Sequence, residues 1–153
     1  MEEIKKRYTV KASEVKGFSI AGQEDVYVSR LLIDKESMGS ERMVMSHGTL
    51  KPGKRIKPGI HPCPYDEAYY ILKGKGILRM GDNNEQYDVC AGTVVFIPCE
   101  LRHGLENTGT DDFEFVAIFP GQLKPGANGI YDERKKKWGK SFRLIDEGDE
   151  PKI

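Results

Sequence analysis

The stretch "HPCPYDEAYYILKGKG", residues 61–76, decides how this chain is interpreted. It places an imidazole, a thiol and a carboxylate close together, those of His61, Cys63 and Glu67, just ahead of a strand-like run. Residues two apart in an extended strand point to the same side, so the first two side chains can face one cavity. Glu67 can reach that cavity from the start of the next strand. The stretch therefore predicts a metal site beside a β-structure.

The regions around this stretch have the pattern of further short strands. "VYVSRLLI", "RMVMSHGTL" and "DDFEFVAIF" are rich in β-branched and aromatic residues or alternate in polarity. "AYYILKG" and "GILRMG" predict a hairpin closed by "KGKG", and "GTVVFIP" predicts a buried strand. Many short strands without a long helical period predict an all-β, antiparallel sandwich or barrel.

The two ends of the chain differ from this middle region, residues 31–120, which we expect to form the barrel core. Residues 1–30 predict N-terminal strands, one of which could add to the sheet of a neighbouring chain. Residues 121–153 predict an irregular or partly helical tail, with helical turns in "YDERKKKW". We expect Trp138 and Phe142 to hold this tail against the barrel. The alternative is that the tail forms a lid or a dimer contact.

Composition limits the classes of protein that fit. A length of 153 residues predicts one domain, residues 1–153. The 24 lysines and arginines balance the 24 acidic residues, so no global field favours nucleic acid or an anionic membrane. The start of the chain lacks the apolar core of a signal peptide, and no apolar run reaches the roughly 20 residues that span a bilayer. We therefore expect a cytoplasmic protein.

The cysteines do not suggest a disulfide framework. Cys63, Cys90 and Cys99 make an odd number in a chain expected to be reduced. Cys90 and Cys99 are expected to be small buried apolar groups. Cys63 is the exception because of the residues around it.

A second group of polar and turn residues follows "GTVVFIP". His103 comes after a short turn, and an antiparallel barrel could bring that turn beside His61 and Glu67. Two imidazoles and one carboxylate suit zinc, iron, manganese, nickel or cobalt. The only other histidine, His47, has the position of an ordinary strand histidine, although it could serve as a substitute ligand.

Together these residues resemble the two motifs of the cupin family. The order His61, position 63, Glu67, Gly74 resembles the first motif, a histidine, any residue, a histidine, a glutamate and a glycine. The second motif is matched by Gly92, Pro98, His103 and Asn107. The resemblance implies an antiparallel cupin barrel that holds a divalent transition metal through His61, Glu67 and His103.

The sequence departs from the family pattern at two positions. Glu100 replaces a glycine of the second motif, which we expect only to reshape a turn. Cys63 replaces the second histidine of the first motif. It could ligate as a thiolate, remain a bystander thiol beside a two-histidine, one-carboxylate set, or mark a barrel that has lost its metal.

Three functions fit this resemblance. One is a metal-dependent enzyme that acts on a small acid or carbonyl compound by oxygenase, decarboxylase or lyase chemistry. The others are a sugar-phosphate isomerase and a non-catalytic module that binds a small molecule. Tyr69, Tyr70, Arg79 and Arg55 are candidates for contact with the ligand. Cupin barrels commonly pair, so the resemblance also implies a homodimer.

Overall fold

The computed structural model describes residues 7–121 and 130–145. This part of the chain is built mainly from β-strands. The strands are β1 (Phe18–Ile20), β2 (Tyr27–Ile33), β3 (Met43–Leu50), β4 (Arg55–Gly59), β5 (Glu67–Lys73), β6 (Lys75–Met80), β7 (Glu85–Cys90), β8 (Val94–Ile97), β9 (His103–Asn107), β10 (Phe113–Pro120) and β11 (Phe142–Leu144). It is completed by two α-helices, the single turn α1 (Lys35–Met38) and α2 (Ile130–Trp138), and by two short 3₁₀-helices, Ala12–Glu14 and Gly139–Ser141.

The strands form two sheets that enclose the core. The larger sheet has the order β11-β1-β2-β3-β10-β5-β8, and the smaller has the order β4-β9-β6-β7. Every strand pairing in both sheets is antiparallel. The predicted all-β, antiparallel barrel with a short C-terminal helix is confirmed. No helix in residues 7–121 or 130–145 is long and apolar enough to cross a membrane.

Alternation along the strands places apolar side chains between the sheets. On β10, Phe113, Phe115 and Ala117 are buried, and their neighbours point away from the core. They join buried residues from both sheets, including Ile71 and Leu105, in one cluster. Truncating such a buried phenylalanine to alanine costs about 3–5 kcal/mol. This cluster holds the two sheets at the separation that the barrel requires.

The predicted hairpin at "KGKG" is wrong. β5 pairs with β10 and β8 in the larger sheet, whereas β6 pairs with β7 and β9 in the smaller one. Gly74, with φ of 93°, lies where the chain passes from one sheet to the other. A glycine suits a barrel corner as well as a hairpin turn, so the sequence does not separate the two. The hairpin here joins β6 to β7 and turns at residues 81–84, the predicted turn "GDNN".

The strand in "GTVVFIP" is only half buried. Val95 and Ile97 point into the core, but Val94 and Phe96 are exposed. β8 ends the strand order of the larger sheet, so one of its edges is unpaired within the described residues. The continuous apolar run suggested burial on both faces, and this part of the prediction is wrong.

The described parts of the two termini meet on the larger sheet. β1 lies between β2 and β11, so it is an inner strand of its own chain. The Phe18 ring lies 5.7 Å from that of Phe142 and 6.0 Å from that of Trp138. The prediction that Trp138 and Phe142 hold the tail against the barrel is confirmed. The remainder of the predicted tail, residues 122–129 and 146–153, lies outside the described residues.

Candidate metal centre

Three side chains converge at one end of the barrel. Glu67 is the first residue of β5 in the larger sheet, and His103 is the first residue of β9 in the smaller sheet. His61 lies in the connection between β4 and β5. One nitrogen or oxygen atom of each residue lies within 4.8 Å of the others. We call this group the inner triad; it spans both sheets.

The inner triad is arranged around one carboxylate oxygen. Glu67 Oε2 lies 3.0 Å from His61 Nε2 and 3.5 Å from His103 Nε2. This oxygen is buried and makes no hydrogen bond with any described residue. The distances support ionic attraction, but the oxygen lone pairs are left without a hydrogen bond of standard geometry. A buried acceptor between two imidazoles is suited to a shared cation, and these three residue types form the facial set that iron and related metals accept.

The orientation of His103 is set by a backbone group. Its Nδ1 lies 3.0 Å from the carbonyl oxygen of Leu101. A carbonyl only accepts hydrogen bonds, so Nδ1 carries the proton and Nε2 faces the triad. Metal-bound histidines commonly use their second nitrogen in this way. The local backbone therefore turns His103 Nε2 toward the Glu67 carboxylate.

Burial and charge act in opposite directions on the inner triad. Burial alone would raise the pKa of Glu67, but the His103 and His61 imidazoles outweigh it and hold that pKa below its ordinary value. Burial alone would lower the pKa of His103, but the Glu67 carboxylate and the Leu101 carbonyl outweigh it and raise that pKa. The Glu67 carboxylate thus favours a positive charge beside it, either a proton on His103 or a bound cation.

Two tyrosines lie on the inner wall near the triad. The ring of Tyr69, one of the predicted ligand contacts, is 6.5 Å from the His103 ring. Burial, followed by the Glu67 carboxylate, raises the pKa of Tyr69 well above its ordinary value. Burial also raises the pKa of Tyr27 to about 12, despite a hydrogen bond with Ser29. Both phenols are therefore neutral at physiological pH. Tyr27 is not among the residues predicted from the sequence, although its alternation with Ser29 and Leu31 on β2 indicates an inward position.

The other predicted ligand contacts are not brought to the triad. Arg79 and Arg55 lie on the outer face of the smaller sheet, where Arg79 Nη2 is 3.0 Å from Glu106 Oε2. Tyr70 is exposed on the outer face of the larger sheet. Strand facing changes with a one-residue shift of register, and the sequence did not determine that register.

The structure corrects the expectations for the cysteines. Cys63 and Cys99 form a disulfide with a Cα–Cα distance of 4.9 Å, so Cys63 has neither a free thiol nor a thiolate. Cys90 is exposed rather than buried. Residues 60–66 form a connection instead of a strand, so the strand alternation that aimed Cys63 at His61's cavity does not apply. The missed signal was that each of the two bonded cysteines, Cys63 and Cys99, lies close in sequence to a histidine, at positions 61 and 103.

Two residues of the second motif have structural roles. Asn107 is buried and donates hydrogen bonds to the carbonyl oxygens of Leu50 and Asp111, at 2.9 and 2.8 Å. Glu100, at the position expected of a glycine, has φ of 63°. Its backbone N–H donates to the His61 carbonyl oxygen at 2.7 Å. The substitution therefore leaves the left-handed turn intact, and this turn contacts the connection that contains His61.

The third histidine, His47, has a different chemical environment from the inner triad. His47 Nε2 lies 3.3 Å from Glu114 Oε1 on the outer face of the larger sheet, and Arg30 is paired with His47 in the strand register. Burial, together with the Arg30 charge, lowers the pKa of His47 despite the nearby carboxylate. We call Arg30, His47 and Glu114 the outer cluster. His47 is thus an ordinary strand histidine and is not a member of the inner triad.

The fold and the site together place this chain in a class of small antiparallel β-barrel proteins that carry an internal polar site, here a histidine–glutamate–histidine group at one end. The chain belongs to the cupin family, whose model for the cupin domain matches residues 46–119. The resemblance in the two motifs is confirmed.

Relatives within this family have different described activities. The chain is 35% identical over 98 residues to an oxalate-binding protein of Thermotoga maritima, covering 63% of this chain and 77% of that protein. It is 40% identical over 90 residues to a glucose-6-phosphate isomerase of Thermococcus gammatolerans, covering 57% of this chain and 45% of the isomerase. It therefore spans less than half of that isomerase. A crystal structure of a "predicted oxalate decarboxylase" from Thermotoga maritima superposes with a TM-score of 0.63 at 27% identity, covering 74% of this chain and 98% of that one.

Proposed function

We propose that the protein binds one divalent transition metal through the inner triad and acts on a small acid or carbonyl compound. The observation that carries this proposal is the convergence of three ligand atoms from different strands and connections within 4.8 Å. A metal there would supply Lewis-acid chemistry and hold an oxygenated ligand at its open positions. Iron, manganese, cobalt, nickel and zinc all suit this donor set.

The residues around the triad favour a small ligand. Tyr69 and Phe115 close the inner wall, with ring centroids 4.8 Å apart. The neutral Tyr69 and Tyr27 hydroxyl groups can donate hydrogen bonds to a ligand oxygen. The name of the Thermotoga maritima relative, an oxalate-binding protein, supports a small dicarboxylate as the first compound to test.

A second candidate is a sugar-phosphate isomerase. Identity over 90 residues to the Thermococcus gammatolerans enzyme favours it. The positions of Arg79 and Arg55 do not support it, because both lie on the outer face and away from the triad. A phosphate group would need other cationic partners. We therefore rank the small-acid chemistry first.

The test begins with metal content. Protein purified without a metal-affinity tag should contain close to one transition metal per chain by elemental analysis, and Glu67→Gln should lose it. His47→Gln is the matched control, because it changes a buried histidine outside the triad. Metal-replete wild-type protein that binds none would contradict the proposal.

The second stage distinguishes the candidate functions. Metal-loaded protein is incubated with oxalate, small 2-oxo acids and glucose 6-phosphate in separate reactions, and products are followed by NMR. Turnover of an acid that is lost in Glu67→Gln supports the first candidate, and interconversion with fructose 6-phosphate supports the second. Ligand-induced stabilisation without product supports the non-catalytic module.

We also propose a homodimer formed through the larger sheet. Neighbouring strands β8, β5 and β10 expose Val94, Phe96, Tyr70, Leu72 and Ile118. Exposed apolar groups concentrated on one face commonly mark a protein interface. Light scattering at micromolar concentration should give twice the mass of one chain, and Phe96→Glu should reduce the measured mass to that of a single chain. A monomer mass for the wild-type protein would overturn this proposal.

A further inference from the structure

The disulfide joins the two connections that carry ligands of the inner triad. Cys63 lies between His61 and Glu67 in the chain, and Cys99 lies between the end of β8 and His103. These two cysteines are 36 residues apart in sequence but belong to adjacent connections in space. The covalent bond is therefore part of the frame of the site.

His61 is the triad member that depends most on this frame. Glu67 and His103 begin strands and are held by their sheets, whereas His61 lies outside any strand. The His61 side chain is 40% exposed, compared with 9% for Glu67 and 7% for His103. Strand pairing thus positions two ligands but leaves the third to the connection that contains it.

The contacts that hold this connection are concentrated at the disulfide. The Glu100 N–H donates to the His61 carbonyl at 2.7 Å, and the Cys99 N–H donates to Asp66 Oδ1 at 2.8 Å. Both donors belong to the segment that the Cys63–Cys99 bond ties to residues 61–66. Breaking the disulfide removes the covalent restraint that keeps these donors next to their acceptors, so the mobility of His61 should rise.

The bond is accessible to a reductant. Cys63 is exposed and Cys99 is half buried. A small dithiol can reduce the pair: the Cys63–Cys99 S–S bond breaks and two thiols form, while the dithiol loses two electrons and two protons and becomes a disulfide. No other chemical change is needed to alter the frame of the site.

We propose that the Cys63–Cys99 disulfide is a redox-controlled clasp that positions His61, so that the oxidised protein binds metal more tightly than the reduced protein. This inference rests on the proposed metal site. Groups that orient metal ligands typically change metal affinity by about 10–100-fold, and we expect about tenfold here because two hydrogen bonds remain. By linkage, bound metal must stabilise the disulfide by the same factor.

The test uses cobalt(II) alone as the probe, in a Cys90→Ser background that removes the free thiol of the described chain. Cobalt affinity is measured for the oxidised protein and for protein reduced by a dithiol that is then removed without oxygen. Reduction should weaken affinity about tenfold. Saturating cobalt should also lower the midpoint potential of the disulfide by about 30 mV, the equivalent of tenfold for two electrons. A purely structural disulfide would not show this coupling to metal.

Serine variants test the same clasp without a reductant. Cys63→Ser and Cys99→Ser should each bind cobalt as weakly as the reduced protein, and thermal unfolding shows whether they remain folded. If they do not fold, the comparison of oxidised and reduced protein decides the question. Equal affinity in both redox states overturns the clasp but not the metal site. Absence of cobalt binding by the oxidised protein overturns both.

One further outcome separates the clasp from thiolate ligation. If reduction increases cobalt affinity and a sulfur-to-metal charge-transfer band appears, Cys63 acts as a ligand once released, and the clasp is wrong. The band should be lost in Cys63→Ser and retained in Cys99→Ser. The clasp predicts weaker binding without this band.

Discussion

The inner triad and the outer cluster both contain histidine and glutamate, but in different electrostatic surroundings. Each places a histidine nitrogen 3.0–3.5 Å from a glutamate oxygen in a largely buried setting. In the triad, two imidazoles share one carboxylate, and the pKa of His103 is raised. In the outer cluster, one imidazole lies between a carboxylate and Arg30, and the pKa of His47 is lowered.

The electrostatic surroundings therefore distinguish the proposed metal site from an ordinary buried histidine–glutamate contact. The Arg30 guanidinium already supplies positive charge to the outer cluster and would repel a metal ion. The inner triad lacks such a cation among its contacts in the described residues, and its carboxylate favours one.

The largest effect is expected from removing a ligand. His103→Ala should weaken metal binding by more than about 100-fold, because losing a ligand exceeds the 10–100-fold effect of losing a supporting group. His47→Ala is the matched control and should leave affinity unchanged. Calorimetric titration with cobalt(II) measures both. Equal losses in the two variants would remove the distinction between the two groups.

The second effect is competition between protons and metal at the triad. The pKa of His103 is raised, and a protonated imidazole cannot ligate. Metal affinity should therefore fall by about tenfold for each pH unit below that pKa. Titrations between about pH 5 and pH 8 measure this, with NMR of the metal-free protein following each histidine. The His103 ring should titrate above the ordinary histidine pKa and the His47 ring below it; the reverse order would contradict the assignment.

The third effect is on stability through the outer cluster. Glu114→Gln removes the carboxylate that His47 contacts, and we expect a loss of about 1–3 kcal/mol, as for a buried hydrogen bond to a charged group. The Glu114 side chain is 17% exposed. Glu106→Gln is the control on the other sheet, where the pair with Arg79 is more exposed and should contribute less than about 1 kcal/mol. Urea unfolding compares the two, and an equal loss would argue against burial as the cause.

The smallest effect is the pH dependence of stability due to His47. Because its pKa in the folded protein is lowered, its contribution is complete above the ordinary histidine pKa and is lost as pH falls from that value through the lower pKa of the folded protein. His103 has the opposite sign: its raised pKa favours the folded state at low pH. The two partly cancel in the wild-type protein. The difference in unfolding free energy between wild type and His47→Gln should therefore shrink on acidification in metal-free protein; a difference that is constant with pH would contradict this sign.

Much of the architecture could be predicted from the sequence because its signals are local. Alternation in "DDFEFVAIF" indicated the inward side of β10, and the two motifs indicated the barrel and the three residues of the triad. The turn at residues 81–84 was also visible, since asparagine and glycine accept the required backbone angles. Each of these strand, turn and motif signals lies within one short stretch of the chain.

The remaining features depend on which strands become neighbours. The corner at Gly74, the half-exposed face of β8 and the outward positions of Arg79 and Arg55 follow from sheet assignment and register, which local patterns do not encode. The Cys63–Cys99 disulfide required the two connections to meet in space. The sequence thus determined the strand pattern and the family, whereas the tertiary structure decided which chemical groups share a site, because pairing between distant segments sets those distances.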